Sequence, residues 1–472
     1  MMRVSTLAAA ISAALFTGCA LAPAPANEDL VHQALPASTR IPSDWQAATA
    51  AGAVANDWLK LLNDPQLSAI VAEAIANNLD LRQAAEKVRA AQQTVVVVGA
   101  QFLPQVGATL GARTLNDEGP GGTGESTAAF ASVGWELDVW GRLRAQKASA
   151  EAAYEATAFD YDHARQSLAA TVARTWYLAI EMHQMLALAE QAVTLYRKLQ
   201  ALVEDRRRAG KDSDLDVVDV SAKLGSAQSA VEKAREAYGD VRRILEVLLG
   251  RYPAAEIAVA ANYVPLPAMP PAGVPAALLE RRPDVVAAER VVLAAFRKTE
   301  SAQLALYPDF SIALIGGRAS DLLLTLLRLN PWLASAAIGV QVPIYEGGAL
   351  RAQVEIATAQ QAQAVARYGS IVLRAFREVE TALANEQLLA KPMPFETQAA
   401  RNRGDAVRIA TVQYLAGRRD LLWVSNLQTG QLATEADLVK LRGLQQVNRI
   451  TLLLALGGGF EAAPAVTAGA LQ

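Results

Sequence analysis

The sequence of 472 residues is poor in the residue types on which most protein chemistry depends. It has one cysteine, which excludes an intramolecular disulfide, and three histidines. The histidines, His32, His163 and His183, are too far apart in sequence to form an i, i+4 metal-binding pair on one helix. No serine, histidine and aspartate occur in a pattern typical of a hydrolase. We therefore expect no catalytic residues, no metal site and no cofactor.

The sequence also lacks a large excess of positive or negative charge, and it lacks long apolar runs. The formal net charge is −3 and the pI is near 5.8, so the chain has no basic excess that would favour nucleic acid as a partner. Although 52% of the residues are hydrophobic, no run outside the N-terminus approaches the roughly 18 apolar residues of a membrane-spanning helix. The mature protein therefore either avoids the membrane or crosses it as β-strands.

The N-terminus has the pattern of a signal peptide. An apolar stretch from Val4 to Phe16 follows Arg3, and residues 1–18 are interpreted as the cleaved segment. Leu15–Cys19 resembles the bacterial lipoprotein box, which implies a lipid on Cys19. The residue after it is Ala20 and not the aspartate that retains lipoproteins at the inner membrane, so the resemblance implies delivery to the outer membrane. The alternative is a cysteine that lies in an ordinary signal peptide.

Glycine and proline are absent between Gly141 and Gly210, and this absence predicts one very long helix. A continuous helix of that length measures about 100 Å, and only partner helices can bury such a rod. After Gly210, apolar residues recur at steps of four and three from Val220 to Leu248, which is a coiled-coil pattern. Gly210 is therefore predicted to be the tip of a long antiparallel helical hairpin.

The chain is an internal duplication. Gly417 follows Gly210 by 207 residues, and Gly457 follows Gly250 by the same distance. This repeat predicts a second hairpin with its tip at Gly417, interrupted by a kink or break at Pro392 and Pro394. The predicted divisions are a lipidated extended tether at 19–55, a first repeat at 56–250, a connection at 251–280, a second repeat at 281–459, and a tail at 460–472.

Each repeat is predicted to contain two β-strands, at about 102–138 and about 308–345. In the second repeat, 322–332 is expected to be an apolar loop or short helix, with the following strand at 338–345. Four strands cannot close a barrel, and open strand edges are not tolerated in lipid. Three copies would supply twelve strands. The predicted fold is mainly α with membrane β, in which a homotrimer shares a twelve-stranded β-barrel and an α-barrel tunnel made of helical hairpins.

The sequence resembles the outer membrane factor family, the TolC-like and OprM-like channels, in the lipoprotein branch that includes nodulation protein T homologues. The resemblance covers nearly the whole mature chain. It is carried, in order, by Leu62–Leu67, Asn77–Leu81, Trp135–Arg142, Arg281–Val285, Tyr307–Pro308, Pro343–Gly348, Tyr414–Gly417 and Ala455–Gly459.

This resemblance implies a channel in the outer membrane with a periplasmic tunnel. Such a channel works with a periplasmic adaptor protein and an inner-membrane pump to export drugs or other small molecules, and it contacts outer-membrane lipid. Two alternatives remain: the channel of a type I protein secretion system, and a periplasmic coiled-coil scaffold that forms no channel. The scaffold explains the helices but not the repeated strands.

The resemblance also implies a gate at the periplasmic mouth, with the tips at Gly210 and Gly417 as the adaptor-docking points. A hydrogen bond between Tyr414 and Asp216 is the expected latch. Some family members have an aspartate ring after the second tip, where this chain has Trp423 and Asn426. Alternatively, the acidic residues after Gly210 only stabilise the start of the return helix. The implied gate residues are Asp216, Asp219, Tyr414, Arg419, Leu422, Trp423 and Asn426.

Overall fold

The computed structural model describes residues 21–47, 52–54, 56–115, 124–321 and 332–459. The chain folds as two compact units. The first unit is formed by Met1–Thr39, Glu86–Phe159 and Val286–Ile371, and the second by Arg40–Ala85, Asp160–Val285 and Val372–Gln472. The predicted signal peptide, Cys19 and the predicted tail lie outside the described residues.

Helices make up most of the described chain. The predicted long helix is confirmed: α5 runs without interruption through 67 residues. The predicted break at the Pro392–Pro394 segment is also confirmed, because one helix ends at Ala390 and the next begins at Met393. The helices are α1 Asn27–Ala34, α2 Trp58–Leu61, α3 Pro65–Asn77, α4 Leu79–Gly99, α5 Arg142–Arg208, α6 Asp214–Leu248, α7 Leu278–Arg281, α8 Pro283–Leu304, α9 Ala349–Ala390, α10 Met393–Leu415 and α11 Leu421–Ala455.

The first unit contains an antiparallel sheet of four strands in the order β1-β2-β3-β4. The first repeat contributes β1 Gln105–Leu115 and β2 Gly124–Leu137, and the second contributes β3 Asp309–Asp321 and β4 Trp332–Gln341. The two repeats meet at the centre, where β2 pairs with β3. Within the described residues, the outer edges of β1 and β4 have no partner strand.

The predicted position of the last strand was wrong. It was expected at 338–345, but β4 begins at Trp332 and ends at Gln341. Pro343 has no backbone N–H, so the chain beyond Gln341 is poorly suited to continue the ladder. The predicted apolar segment 322–332 lies outside the described residues except for Trp332, which is the first residue of β4.

The predicted extended tether was also wrong in part, because Asn27–Ala34 is helical. Leu30 on this helix is buried. The helix lies so close to α9 that a side chain at Gly369 would meet the carbonyl oxygen of Ala34 at 2.3 Å. Further along the same segment Trp45 is also buried, and its indole donates a hydrogen bond to the Ala272 carbonyl at 3.1 Å. Packing against neighbours therefore overrides the local Ala- and Pro-rich composition.

The core of the second unit lies where α3, α5, α6 and α11 pack together. Trp176 on α5 is buried there, and its indole donates to the carboxylate of Asp64 at 3.1 Å. The same carboxylate caps α3 by accepting a hydrogen bond from the Leu67 amide. In the described part of the chain, no helix is both long enough and apolar enough to span a membrane.

The duplication is visible where α6 and α11 end. Gly250 and Gly457 follow these helices with φ of +71° and +66°, the left-handed region that favours glycine. A Cβ at Gly250 would lie 2.8 Å from the Asn77 carbonyl oxygen, and one at Gly457 would lie 3.2 Å from that of Arg281. In each repeat one glycine therefore ends the return helix. The same glycine lets the backbone of an earlier segment of that repeat, at Asn77 or Arg281, approach closely.

Candidate functional site at the hairpin tips

Two helical turns of equivalent construction form the tips of the hairpins in the second unit. The first tip is defined as residues 206–219 and the second as residues 413–426. At the first, Gly210 has φ +70° and the Lys211 amide donates to the Arg206 carbonyl at 2.8 Å. At the second, Gly417 has φ +71° and the neighbouring amides make the same pattern of hydrogen bonds. Both tips are Schellman-type helix ends, as the repeated glycines predicted.

A three-residue group, the Tyr414 cluster, joins the two tips. The hydroxyl of the buried Tyr414 donates a hydrogen bond to the carboxylate of Asp212. The Nε of Arg206 donates to the same carboxylate at 3.0 Å, and its guanidinium lies 4.4 Å from the centre of the Tyr414 ring. One carboxylate thus holds a helix end of the first hairpin to the last turn of α10 in the second.

The electrostatics of the Tyr414 cluster keep both donors protonated. The hydrogen bond to Asp212 raises the pKa of the Arg206 guanidinium, and its charge attraction adds to this effect. Burial raises the pKa of the Tyr414 hydroxyl, and the hydrogen bond to Asp212 raises it further. At neutral pH the cluster therefore has two fixed donors on one acceptor, an arrangement that water competes with poorly because Tyr414 is buried.

The expected bond between Tyr414 and Asp216 was wrong for contacts within one chain. Asp216 instead accepts from the Ser213 amide at 2.9 Å and from the Ser213 hydroxyl at 2.6 Å. The Asp216 amide donates back to the Ser213 hydroxyl, which completes a capping box at the start of α6. Asp216 therefore has the helix-starting role that was the alternative interpretation, and Asp212, four residues earlier, takes the bond with Tyr414.

A second polar contact between the hairpins involves Lys223. Its ammonium donates to Asp219 at 2.8 Å and to the hydroxyl of Ser425 at 2.5 Å. Ser425 is buried and belongs to α11, so this bond joins the first hairpin to the second. Sequence reasoning identified Asp219 but missed Lys223 and Ser425. The lysine was recognisable as an i, i+4 partner of Asp219 on α6.

Below these contacts the hairpins share an apolar core. Tyr414 belongs to it, as do Val203 and Val220 from the first hairpin and Leu421 and Val424 from the second. All of these side chains are buried. The polar contacts at the tips therefore rest on a packed layer that involves both repeats.

The remaining predicted gate residues lie on the exposed side of the second tip. The side chain of Leu422 is 55% exposed, Trp423 is 48% exposed, and Asn426 is also exposed. The guanidinium of Arg419 lies 4.7 Å from the centre of the Trp423 ring, a cation–π contact within the second tip. Among the described residues, no three His, Cys, Asp or Glu side chains are grouped closely enough to hold a metal ion.

Comparison with known proteins gives one consistent result. The sequence profile described as "Outer membrane efflux protein" matches residues 70–251 and 274–458, which covers both repeats. The chain is 29% identical to the pyoverdine export outer membrane protein OpmQ of Pseudomonas putida, over 89% of this chain and 92% of that protein. It is 28% identical to the cation efflux system protein CusC of Escherichia coli O6:H1, over 94% of this chain and 96% of that protein.

A solved structure agrees with these sequence matches. A crystal structure of CusC superposes with a TM-score of 0.79 at 25% identity, over 92% of this chain and 99% of that chain. The likeness therefore extends over nearly the whole length of both proteins and is not restricted to the helical hairpins.

Proposed function

Because this chain belongs to the outer membrane efflux protein family, we propose that it is the outer-membrane channel of a tripartite efflux system. The observation that carries this proposal is the match of one efflux profile to both repeats. Relatives whose names describe export and efflux support it, because they align over nearly their full length. Their names describe pyoverdine export and cation efflux, so the cargo is proposed only as a small molecule that a dedicated pump supplies.

The active form is proposed to be a homotrimer. One chain provides a four-stranded sheet whose edge strands, β1 and β4, are unpaired in the described residues. Unpaired edges are costly in water and not tolerated in lipid, which favours closure by further copies. Exposed apolar side chains on these strands favour contact with outer-membrane lipid: Leu110 is 83% exposed and Ile338 is 79% exposed. A lipid on Cys19 is proposed as an additional anchor.

The hairpin tips are proposed to be the periplasmic gate. In the resting state the Tyr414 cluster and the contact from Lys223 to Ser425 hold the two hairpins of a chain together. Opening requires these contacts to break while the helices below them stay packed. Because only these polar bonds have to break, the gate can open while the helices stay folded.

The proposed partners are a periplasmic adaptor and an inner-membrane pump. The adaptor is proposed to dock at Gly210 and Gly417, where a side chain in place of the glycine hydrogen would meet open space. The first tip exposes Leu215, and the second exposes Leu422 and Trp423, so each docking surface has apolar side chains and only the second of these sets includes an aromatic ring.

The test is conductance. The full-length protein, purified in detergent and shown to be trimeric by light scattering, is added to a planar lipid bilayer. We expect discrete single-channel steps of small size, because the gate is closed at rest, with larger steps in variants of the Tyr414 cluster. Inserted trimer that conducts in none of these forms would leave the scaffold as the better explanation.

A further inference from the structure

We propose that the ion pair between Arg297 and Glu300 on α8 is a clamp that binds the N-terminal segment of this chain at Ala22. The Ala22 amide donates to Glu300 Oε1 at 2.7 Å, and Arg297 donates to the Ala22 carbonyl at 2.7 Å. Arg297 and Glu300 also bond to each other at 2.8 Å. One ion pair therefore holds both backbone polar groups of a single residue.

The clamp is more buried than an exposed i, i+3 ion pair on another described helix, α4. The side chains of Arg297 and Glu300 are 13% and 14% exposed, whereas those of Arg89 and Glu86 are 75% and 59% exposed. An exposed ion pair is screened by water and contributes little to stability. Partial burial makes the charge-assisted bonds to Ala22 stronger, since both charges have few competing water molecules.

A stiff spacer and a second contact follow the clamp. The sequence from Ala22 to Pro25 alternates alanine and proline, a composition that favours extended and semi-rigid chain. Helix α1 begins at Asn27, buries Leu30, and lies against Gly369 on α9, where there is no room for a larger side chain. The segment is thus held at two points on the first unit with little slack between them.

The position of the clamp gives it a role in placing the lipid anchor, and this part rests on the proposed lipidation. Ala22 follows Cys19 by three positions, a length that spans at most about 11 Å. Glu300 precedes the end of α8 at Leu304 by four residues, which is about 6 Å of helix. The clamp therefore limits the anchor to the neighbourhood of the junction between α8 and strand β3.

The experiment places a nitroxide label at the exposed Ala24, as Ala24→Cys, in the full-length trimer in detergent. Two backgrounds are compared, the otherwise native chain and Cys19→Ser. We expect a motionally restricted spectrum in both. Arg297→Ala or Glu300→Ala should shorten the rotational correlation time on the order of fivefold, because the segment that carries residue 24 is then no longer bound to α8.

The matched control is Lys298→Ala, which removes a cation from the next position of α8. Lys298 bonds to Gln360 on α9 and not to the backbone groups of Ala22 that Arg297 and Glu300 bind, so the spectrum should not change. A mobile label in the unsubstituted clamp, or identical spectra with and without Arg297, would overturn the proposal. Thermal stability of each variant excludes global unfolding. Conductance, measured separately, reports on the channel, so loss of the clamp and failure of the proposed function are distinguishable.

Discussion

The hydroxyl of Tyr414 donates a hydrogen bond to the carboxylate of Asp212, 202 residues earlier in the chain. The repeat-equivalent positions are Arg207 and Arg419, one 207 residues before Tyr414 and the other 207 residues after Asp212. Two arginines cannot reproduce this bond. Arg207 instead pairs with Asp214 at 2.8 Å, and Arg419 lies over Trp423. The duplicated hairpins therefore share a backbone plan, but the bond between the tips is made once per chain.

Removing this bond is expected to open the gate. Tyr414→Phe removes the donating hydroxyl and Asp212→Asn removes the negative charge of the acceptor, and both should raise the resting conductance of the trimer in planar bilayers several-fold. Each change costs a charge-assisted hydrogen bond of about 1.5–3 kcal/mol, which is enough to shift a closed population substantially. The matched control is Asp205→Asn, because Asp205 pairs with Arg208 on the exposed surface. Equal conductance in all four proteins would remove the Tyr414 cluster from the gate.

Alanine substitutions at Gly210 and Gly250 distinguish the free-energy cost of a left-handed backbone from that of a steric clash. Both have φ near +70°, but Gly210 has open space around it, whereas a Cβ at Gly250 would lie 2.8 Å from a backbone oxygen. We expect Gly210→Ala to cost about 1 kcal/mol for the left-handed conformation alone. Gly250→Ala should cost about twice as much or more and should lower the melting temperature of the trimer clearly further. Equal shifts would mean that the Asn77 segment yields without strain.

Glycine positions were predictable because only glycine adopts the left-handed conformation without cost. The spacing of Gly210, Gly250, Gly417 and Gly457 therefore marks the helix ends directly in the sequence, and all four have positive φ. The uninterrupted α5 was predictable for the opposite reason, since nothing in its sequence breaks a helix. These features depend on residue type and local backbone alone.

The partners of side chains were less predictable. Four aspartates occur within nine residues after Gly210, and periodicity cannot decide which of them reaches Tyr414. The capping box between Ser213 and Asp216 was recognisable in the sequence as a local pattern. It would have excluded Asp216 as the partner of Tyr414. The docked helix at Asn27 could not be predicted from composition, because the burial of Leu30 depends on residues far away in sequence.

Glu246 should make stability depend on pH. Burial alone would raise its pKa, but the amides of Ile257, Ala255 and Glu256 donate to the carboxylate and hold its pKa below the ordinary value of 4.5. A lowered pKa in the folded state means that Glu246 stabilises the fold at neutral pH. This stabilisation begins to fall as the pH drops through the ordinary value and is lost once the pH passes below the folded pKa.

Glu246→Gln should therefore cost about 2 kcal/mol at pH 7, the scale of hydrogen bonds to a charged group. The melting temperatures of the native and variant proteins should converge as the pH falls below the ordinary value. The control is Glu232→Gln on the same helix, where the carboxylate is exposed and pairs with the exposed Arg235. A gap in melting temperature that is the same at neutral and acidic pH would show that the charge of Glu246 is not the stabilising feature.

Arg449 makes a buried ion pair and also contacts the connection between the repeats. Its guanidinium bonds Glu386 at 2.9 and 3.1 Å and donates to the carbonyls of Pro267 and Ala268, and both charged side chains are at most 10% exposed. Arg449→Ala leaves a buried carboxylate without its cation, so we expect a loss of about 3–5 kcal/mol. The exposed pair of Arg235 and Glu232 is the control, where Arg235→Ala should cost under about 1 kcal/mol.

Limited proteolysis then distinguishes the effect of losing the ion pair from the effect of losing the two bonds to the connection. In Arg449→Ala the carbonyls of Pro267 and Ala268 lose their donor, so cleavage within 251–275 should become faster than in the native protein. Glu386→Ala removes the same ion pair but leaves the arginine able to bond those carbonyls. It should destabilise the fold without exposing the connection. If both variants are cleaved there at the same rate, the ion pair and not the two carbonyl bonds secures the connection, because only the ion pair is lost in both.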